Sequence, residues 1–286
     1  MTGGGAALAR PAPPRRAGDG PLSGIRVEDV SMVYALPGGG SVRALDRVSL
    51  DVAPGELVTV LGPSGCGKTT LLNILAGFLR PTGGRVVVDG AEVTGPSADR
   101  GMVFQQGALF EWMSVAGNVG FGPRMAGRGA AETAARVGEL LGKVGLRGLG
   151  DTPVWRLSGG MQQRVALARC LANDPKVILM DEPLGALDAL TREKMQGLVL
   201  RLWRETGTTI VLITHSVEEA LYLGERLVVM APRPGRIVKE LRLPFAQAAL
   251  AGEPRAIKAS GEFVARREEI LSMIWEMEEA IMGGEG

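Results

Sequence analysis

The 286-residue chain lacks several features that would place it in a common class of protein. It has only two cysteines, Cys66 and Cys170, which excludes a disulfide framework and suits a reducing compartment. Its net charge of +1, from 32 basic and 31 acidic residues, provides no bulk field that would attract nucleic acid or an anionic membrane. No apolar run approaches the ~20 residues that a membrane span needs.

The two ends of the chain differ from its middle in composition. Residues 1–23 are rich in Gly, Ala, Pro and Arg and lack the apolar stretch of a signal peptide, so we interpret them as a disordered extension. One α/β domain is expected over residues 24–245 and a helical tail over 246–286. The tail has apolar residues at helical spacing and is expected to pack on its own domain, with a partner or regulatory contact as the alternative. These apolar residues are Phe263, Ile270, Ile274, Met277 and Ile281.

The middle of the chain contains two kinds of strand. Residues 25–34 and 42–52 alternate apolar and polar residues, as half-buried antiparallel strands do. Short apolar runs at 56–62, 176–181 and 209–214 alternate with helical segments, which predicts an α/β fold around a parallel sheet. Residues from about 107 to 165 are rich in Ala, Gly, Leu and Arg, with helical spacing, and we expect a helical subdomain there.

The stretch GPSGCGKT, from Gly62 to Thr69, matches the pattern G-x-x-x-x-G-K-[ST] between a predicted strand and a predicted helix. Glycines allow backbone N–H groups to turn towards phosphates, and the helix N-terminus adds partial positive charge. Lys68 can reach the β- and γ-phosphates, and the Thr69 hydroxyl can ligate Mg²⁺. The stretch therefore predicts a nucleoside triphosphate site.

Asp181 ends a predicted parallel strand, and Glu182 follows it. A carboxylate at that end of the strand can hold Mg²⁺ directly or through water, and the next carboxylate could orient and deprotonate an attacking water. The alternative is an acidic pair that introduces a helix before Pro183.

Ser158, Gly159 and Gly160 open another predicted helix. Serine is a strong N-cap residue, and the two glycines leave backbone N–H groups free, which predicts a second anion site. An ordinary capped helix is the alternative.

Taken together, these segments resemble, in order over about residues 24–243, the motifs of ATP-binding cassette (ABC) proteins. The resemblance implies a P-loop nucleotide triphosphatase with a RecA-like parallel sheet, an antiparallel β subdomain and a helical signature subdomain, using ATP and Mg²⁺. The residues implied to bind the nucleotide are Tyr34, by stacking on adenine, Gly62, Pro63, Ser64, Gly65, Cys66, Gly67, Lys68, Thr69, Thr70, Ser158, Gly159, Gly160 and Asp188. The implied catalytic residues are Glu182, His215, Gln105 and Lys68, and the implied metal ligands are Thr69, Gln105 and Asp181. Packing roles are the alternatives for Tyr34 and for His215, the one histidine.

The same resemblance implies a homodimer. Two copies would pack head to tail, with ATP between the phosphate loop of one copy and the Ser158 turn of the other, so neither loop would complete a site alone. Met161 and Ser216 depart from the commonest residues of the family at their positions, which could alter the rate of turnover.

One cassette without membrane spans implies separate membrane partners. The resemblance implies two integral membrane permease subunits, a peripheral location on the cytoplasmic face of the inner (plasma) membrane, indirect contact with a periplasmic solute-binding protein, and no nucleic-acid partner. Leu109, Phe110, Trp112 and Met113 are expected to be exposed in a socket for a permease helix, with core packing as the alternative.

Finer features concern the solute. The stretches LDALTRE and PRPGRI and the tryptophan at position 203 are similar to those of the ATPases of nitrate, sulfonate and taurine importers. Taurine or a related sulfonate is the first choice, with nitrate and thiamine-precursor import as alternatives and a non-transport ABC ATPase less favoured.

Overall fold

The computed structural model describes residues 24–105 and 108–283, so residues 1–23, predicted to be disordered, lie outside the described part. Its strands are β1 (Ile25–Ala35), β2 (Ser41–Val52), β3 (Leu57–Leu61), β4 (Gly83–Val88), β5 (Ala91–Glu92), β6 (Arg100–Val103), β7 (Val177–Asp181), β8 (Thr209–Ile213), β9 (Arg226–Ala231) and β10 (Arg236–Arg242). Its α-helices are α1 (Lys68–Ala76), α2 (Val115–Val119), α3 (Phe121–Met125), α4 (Ala130–Lys143), α5 (Gly159–Leu171), α6 (Ala189–Thr206), α7 (Val217–Leu223), α8 (Phe245–Ala251), α9 (Pro254–Lys258) and α10 (Gly261–Gly283).

Two sheets form the framework, as the alternation patterns predict. One is antiparallel, with the order β2-β1-β4-β5. The other has the order β10-β9-β3-β8-β7-β6, and within it β9, β3, β8, β7 and β6 are parallel neighbours. Only the hairpin partner β10 runs antiparallel, on one edge. The predicted α/β fold with a parallel central sheet is confirmed.

The parallel sheet is buried on both faces, which explains why its strands are continuous apolar runs. On β3, Leu57 and Leu61 pack into one hydrophobic cluster, whereas Val58 and Val60 pack into another. The first cluster also contains residues of α4, α5, α6, α7 and α10. The second lies between the two sheets and includes α1. Helices α2 to α5 form the helical region that the composition of residues 107–165 indicates.

The structure adds detail to the expected elements. Helix α5 begins at Gly159 with Ser158 as its N-cap, where the sequence predicts the start of this helix. Strand β6 was not expected, since it has only four residues and a single buried one, Val103. Helices α8 and α9 belong, with α10, to the segment for which a helical tail over residues 246–286 is expected.

Helix α10 covers the predicted tail segment and packs on the rest of the chain. Phe263 and Ile270 are fully buried, and Ile274 and Met277 pack against the same cluster. The side chain of Ile281 lies outside the described residues. In the described ranges, 24–105 and 108–283, no helix combines the length and the apolar composition that a membrane crossing requires.

A buried ion pair joins the start of β3 to the start of β9. The Arg226 guanidinium donates to both carboxylate oxygens of Glu56, each at 2.9 Å, and their side chains are only 13% and 7% exposed. Arg226 also reaches Glu240, at 2.6 Å, and the backbone oxygen of Asp51. The Arg226 guanidinium therefore links Glu56, Glu240 and Asp51, which belong to three different segments of the two sheets.

We expect Glu56→Gln to lower the free energy of unfolding by about 2 kcal/mol, because it removes the charge that pairs with a largely buried guanidinium. Glu240→Gln is the matched control and should cost less than about 1 kcal/mol, since Glu240 is more exposed. Urea unfolding followed by tryptophan fluorescence measures both. Equal effects of the two changes would contradict a special role for the buried pair.

Candidate active site

The predicted site residues follow neighbouring strands of the parallel sheet. Residues 62–69 follow β3, Thr214 and His215 follow β8, Asp181 and Glu182 lie at the end of β7, and Gln105 comes shortly after β6. Because these strands are parallel, their carboxyl ends share one edge of the sheet. The fold therefore brings together segments that are more than a hundred residues apart in the chain.

The loop between β3 and α1 has the geometry of a phosphate cradle. Gly65 and Gly67 have positive φ angles of 75° and 88°, which turn the backbone N–H groups and which glycine adopts most readily. Helix α1 has no side-chain cap at its N-terminus, so its first N–H groups remain available to an anion. Lys68 is buried, and its Nζ donates to the carbonyls of Gly62 at 2.7 Å and Pro63 at 3.1 Å.

The side chain of Cys66 points into the protein interior rather than towards the surface where the loop would hold phosphates. Its side chain is buried, its Sγ lies 3.6 Å from Lys68 Nζ, and burial raises the pKa of the thiol. Only the backbone of Cys66 can therefore face a ligand. Gly62 packs tightly above it, because a Cβ there would lie 2.3 Å from the Met230 carbonyl oxygen and 2.7 Å from Cys66 Sγ.

Asp181 is close to the start of α1. A side-chain hydrogen bond joins Asp181 to Thr69, and Lys68 exerts a favourable charge on the carboxylate. Burial, and then the charge of Glu182, nevertheless raise the pKa of Asp181. A bound cation would relieve this cost, and hydroxyl and carboxylate oxygens are donors that suit Mg²⁺. No cluster of three or more His, Cys, Asp or Glu side chains forms a metal cage within the described ranges, so a cation here would also need oxygens from its ligand.

Glu182 and His215 form a pair across the ends of β7 and β8. His215 Nδ1 lies 2.9 Å from Glu182 Oε2, and the Glu182 N–H donates to the Ile213 carbonyl at 2.9 Å. Glu182 has a positive φ of 45°, a strained conformation for a residue with a side chain. A Cβ on Gly185 would lie 3.4 Å from Gln105 Nε2 and 3.5 Å from His215 Cε1, so Gln105 and His215 border the same glycine.

Tyr34 stands beside the first turn of α1. Its hydroxyl lies 3.5 Å from Thr70 Oγ1, and the side chain is partly exposed. This position would allow its ring to contact a base bound next to the phosphate loop.

The second glycine turn is separate from the first. Ser158 caps α5 by accepting a hydrogen bond from the Met161 N–H, and Gly159 is exposed. Gly160 is buried, and a Cβ there would lie 2.4 Å from Thr191 Cγ2, so its glycine serves the contact between α5 and α6. In the part of the chain that the structure describes, no hydrogen bond or ion pair joins this turn to residues 62–70.

Asp188 has a structural task that the sequence analysis did not assign. It caps α6, with Oδ1 accepting from the Thr191 N–H at 3.0 Å, and that bond lowers the pKa of the carboxyl. The side chain is exposed at the surface of the molecule.

The predicted hydrophobic socket is only partly exposed. Trp112 is 79% exposed, but Leu109 packs against the core, and the rings of Phe110 and Phe121 lie 4.6 Å apart. Met113 is half-buried. The expectation of four exposed side chains is therefore wrong for three of them, which are partly buried. Leu109 and Phe110 anchor this segment to the helical region.

Two residues near this segment were missed by the sequence analysis. The buried side chain of Asn118 accepts from the Phe110 N–H at 2.8 Å and donates to the Phe110 carbonyl at 3.1 Å, which holds the segment in place. Trp155 is 62% exposed and lines a cleft together with Gln105, Leu109 and Gly159. The feature of the sequence that could have identified Trp155 is its position three residues before Ser158, the N-cap of α5.

A phosphate loop between β3 and α1 of a parallel sheet, with Asp181 on the adjacent strand end, is the arrangement of a P-loop nucleotide-binding protein. Residues 45–185 match the model of the family described as ABC transporter. The chain is 66% identical over 262 residues to the taurine import ATP-binding protein TauB of Jannaschia sp. (strain CCS1), with 92% of this chain and 98% of that protein covered. It is 50% identical to the protein of the same name from Yersinia pestis bv. Antiqua (strain Antiqua), with 84% and 94% covered.

A solved structure agrees with these relatives. The dimeric, post-hydrolysis structure of the ATP-binding cassette MJ0796 bound to ADP and Pi is 34% identical, with a TM-score of 0.68, and covers 77% of this chain and 98% of its own. The chain belongs to the ABC transporter family.

Proposed function

We propose that this chain is the ATP-hydrolysing subunit of an ABC importer that takes up taurine or a related sulfonate. The observation that carries the ATPase is the convergence of the phosphate loop, Asp181, Glu182, Gln105 and His215 on one edge of the sheet. The solute follows from relatives named for taurine import, which are 66% identical over nearly their whole length.

ATP would be held by the loop at residues 62–70. The free N–H groups at the start of α1 would bind its phosphates, and Lys68 would exchange its two carbonyl partners for the β- and γ-phosphates. Tyr34 would stack on the adenine. Thr69, Asp181 and Gln105 would hold Mg²⁺, which neutralises charge on the phosphates when bound.

Hydrolysis would use Glu182 as the general base. Its carboxylate can accept a proton from a water placed in line with the γ-phosphate. The hydrogen bond that His215 Nδ1–H donates to Glu182 Oε2 fixes the orientation of both side chains. The exposed ring of His215 would meet the γ-phosphate, and Gln105, across Gly185, would contact the metal and the water.

The site would be completed by a second copy of the chain. Ser158 and Gly159 are exposed at the start of α5. Among the described residues they share no hydrogen bond or ion pair with the phosphate loop of their own chain, so they would be able to reach the ATP of a partner. Exposed Asp188 would lie at the same interface. The dimeric assembly named for the related cassette MJ0796 supports this arrangement.

We expect Glu182→Gln to keep ATP binding, to lower turnover by at least about 100-fold, and to accumulate a dimer in ATP, because the amide retains shape but cannot accept a proton. Glu205→Gln, at an exposed position on α6, is the control and should behave as the wild type. ATP turnover and size-exclusion chromatography measure both. Turnover near the wild-type rate would remove Glu182 from the role of base.

Two permease subunits would dock on the helical region, which would hold the chain at the cytoplasmic face of the membrane. Trp112 and Trp155 are among the most exposed large apolar side chains described, and Trp155 lines the cleft that Gln105 also borders. A permease segment in this cleft would therefore act on the catalytic site through Gln105. A periplasmic solute-binding protein would act only through the permease.

Trp112→Ala should reduce ATP-driven transport by about tenfold or more while the basal ATPase of the isolated subunit stays within twofold, because an exposed aromatic anchor at an interface carries much of the binding energy. Trp275→Ala removes a tryptophan of similar exposure from α10 and serves as the control. Unchanged transport by the Trp112 variant would place the docking surface elsewhere.

The solute is tested by reconstituting the chain with the permease and the solute-binding protein encoded beside it. We expect ATP-dependent uptake of labelled taurine that excess sulfonates inhibit, and no uptake with the Glu182→Gln subunit. Uptake of nitrate or a thiamine precursor instead of taurine would reassign the solute and leave the ATPase intact. ATP turnover without transport of any of them would favour a non-transport role.

A further inference from the structure

A buried carboxyl lies directly behind the proposed catalytic pair and has no part in the mechanism above. Glu219, in the first turn of α7, is 3% exposed. Its Oε1 has no hydrogen-bond partner among the described residues. Burying a carboxyl in this way is costly, so its surroundings indicate what it does there.

Glu219 is bonded to both neighbours of His215. A side-chain hydrogen bond joins it to Thr214, and the Glu219 N–H donates to Ser216 Oγ at 3.3 Å. The Thr214 hydroxyl in turn accepts from the Ser216 N–H at 3.1 Å. The His215 ring itself is 62% exposed, so its position depends on this turn and on the contact with Glu182.

Helix α6 also packs on α7, and the charge of its Arg192 acts on the carboxyl of Glu219. Arg192 donates to the carbonyls of Leu184, at 3.3 Å, and Leu187, at 2.7 Å, and so holds the segment between Glu182 and Asp188. Glu219 therefore interacts both with the turn that carries His215 and with the cation that fixes the neighbouring catalytic segment.

The surroundings of Glu219 keep its carboxyl protonated, and therefore uncharged, below about pH 7. Burial raises its pKa to about 7; the charges of Arg192 and His215 and the hydrogen bond with Thr214 oppose this rise, and the charge of Glu182 adds to it. Of the other elements packed on α7, β3 and α8 have no charged residue. On α10, Glu269 pairs with both Arg266 and Lys239.

We propose that Glu219, in its neutral form, is a positioning residue that keeps the His215 turn in register with the segment 184–188, a role that rests on the ATPase function proposed above. Neutral Glu219 accepts from Thr214 and leaves Arg192 on its two carbonyls. An ionised Glu219 would attract Arg192 away from them and add negative charge beside Glu182.

The test compares Glu219→Gln, Glu219→Ala and the matched control Glu218→Gln, whose side chain is exposed and paired with Lys258 in the same turn of α7. Turnover of the full-length chain is measured at saturating ATP and Mg²⁺ from pH 6 to 9. Glu219→Ala should lower kcat by about tenfold, with KM for ATP changed less than about twofold, because it displaces a catalytic side chain rather than a binding group. We expect the kcat of the wild type to fall above pH 7, as Glu219 ionises. Glu219→Gln should keep kcat within about twofold at pH 7 and should not show this fall.

Two measurements need no nucleotide. His215 is the one histidine of the chain, so its Hε1 proton gives a single imidazole NMR signal of that type, which should shift in Glu219→Ala and stay unchanged in Glu218→Gln. The folded-state pKa of Glu219 lies above the usual 4.5, so the folded wild type loses stability as pH rises from 4.5 to about 7. Glu219→Gln does not titrate, and its Tm relative to the wild type should rise between pH 5 and pH 8 by about 4 °C or more.

Wild-type kcat together with an unmoved His215 signal in Glu219→Ala would overturn the positioning role. An alkaline fall in Glu219→Gln equal to that of the wild type would overturn the requirement for the neutral form. If Glu219→Ala does not fold, the dependence of kcat on pH and the melting curves of Glu219→Gln test the proposal instead. A wild type that hydrolyses no ATP would reject the proposed function, and the NMR and melting results would still decide the role of Glu219.

Discussion

The parallel pairing of β3, β8, β7 and β6 is the constraint on which the site depends. Parallel strands present their carboxyl ends at one edge, so every loop that leaves that edge enters the same small volume. The phosphate loop leaves β3, the His215 turn leaves β8, Asp181 and Glu182 end β7, and Gln105 follows β6. A change in strand order would separate these groups without altering any one motif.

Burial on both faces of the sheet makes that edge rigid. Alternate residues of β3 enter two different hydrophobic clusters, and β7 and β8 behave in the same way. Side chains at the strand ends are therefore held by packing on both sides, which is how catalytic groups keep their geometry. The strained backbone of Glu182 persists because its N–H is bonded to the adjacent strand at Ile213.

Three ionisable groups lie where burial makes their charged forms costly. Lys68 is buried with its amine on two loop carbonyls, and burial raises the pKa of Asp181 and of Glu219. Two of these groups border the phosphate loop, and the third lies behind His215. A charged ligand that binds here can replace the present partners of these groups. The ion pairs elsewhere on the surface contribute little to the stability of the fold.

The sequence by itself determined what depends on neighbouring residues: the strand and helix on either side of the phosphate loop, the cap at Ser158, the adjacent carboxyls Asp181 and Glu182, and the amphipathic tail helix. These follow from local spacing and backbone preferences, which a short window of residues contains. Only the tertiary structure decided that β6 exists and that Leu109, Phe110 and Met113 are partly buried. It also decided that Gly160 is buried against Thr191 and that Glu219 is buried behind His215. Each of these depends on which distant segments are packed together, and hydrophobic periodicity does not encode strand order or the neighbours of a given side chain.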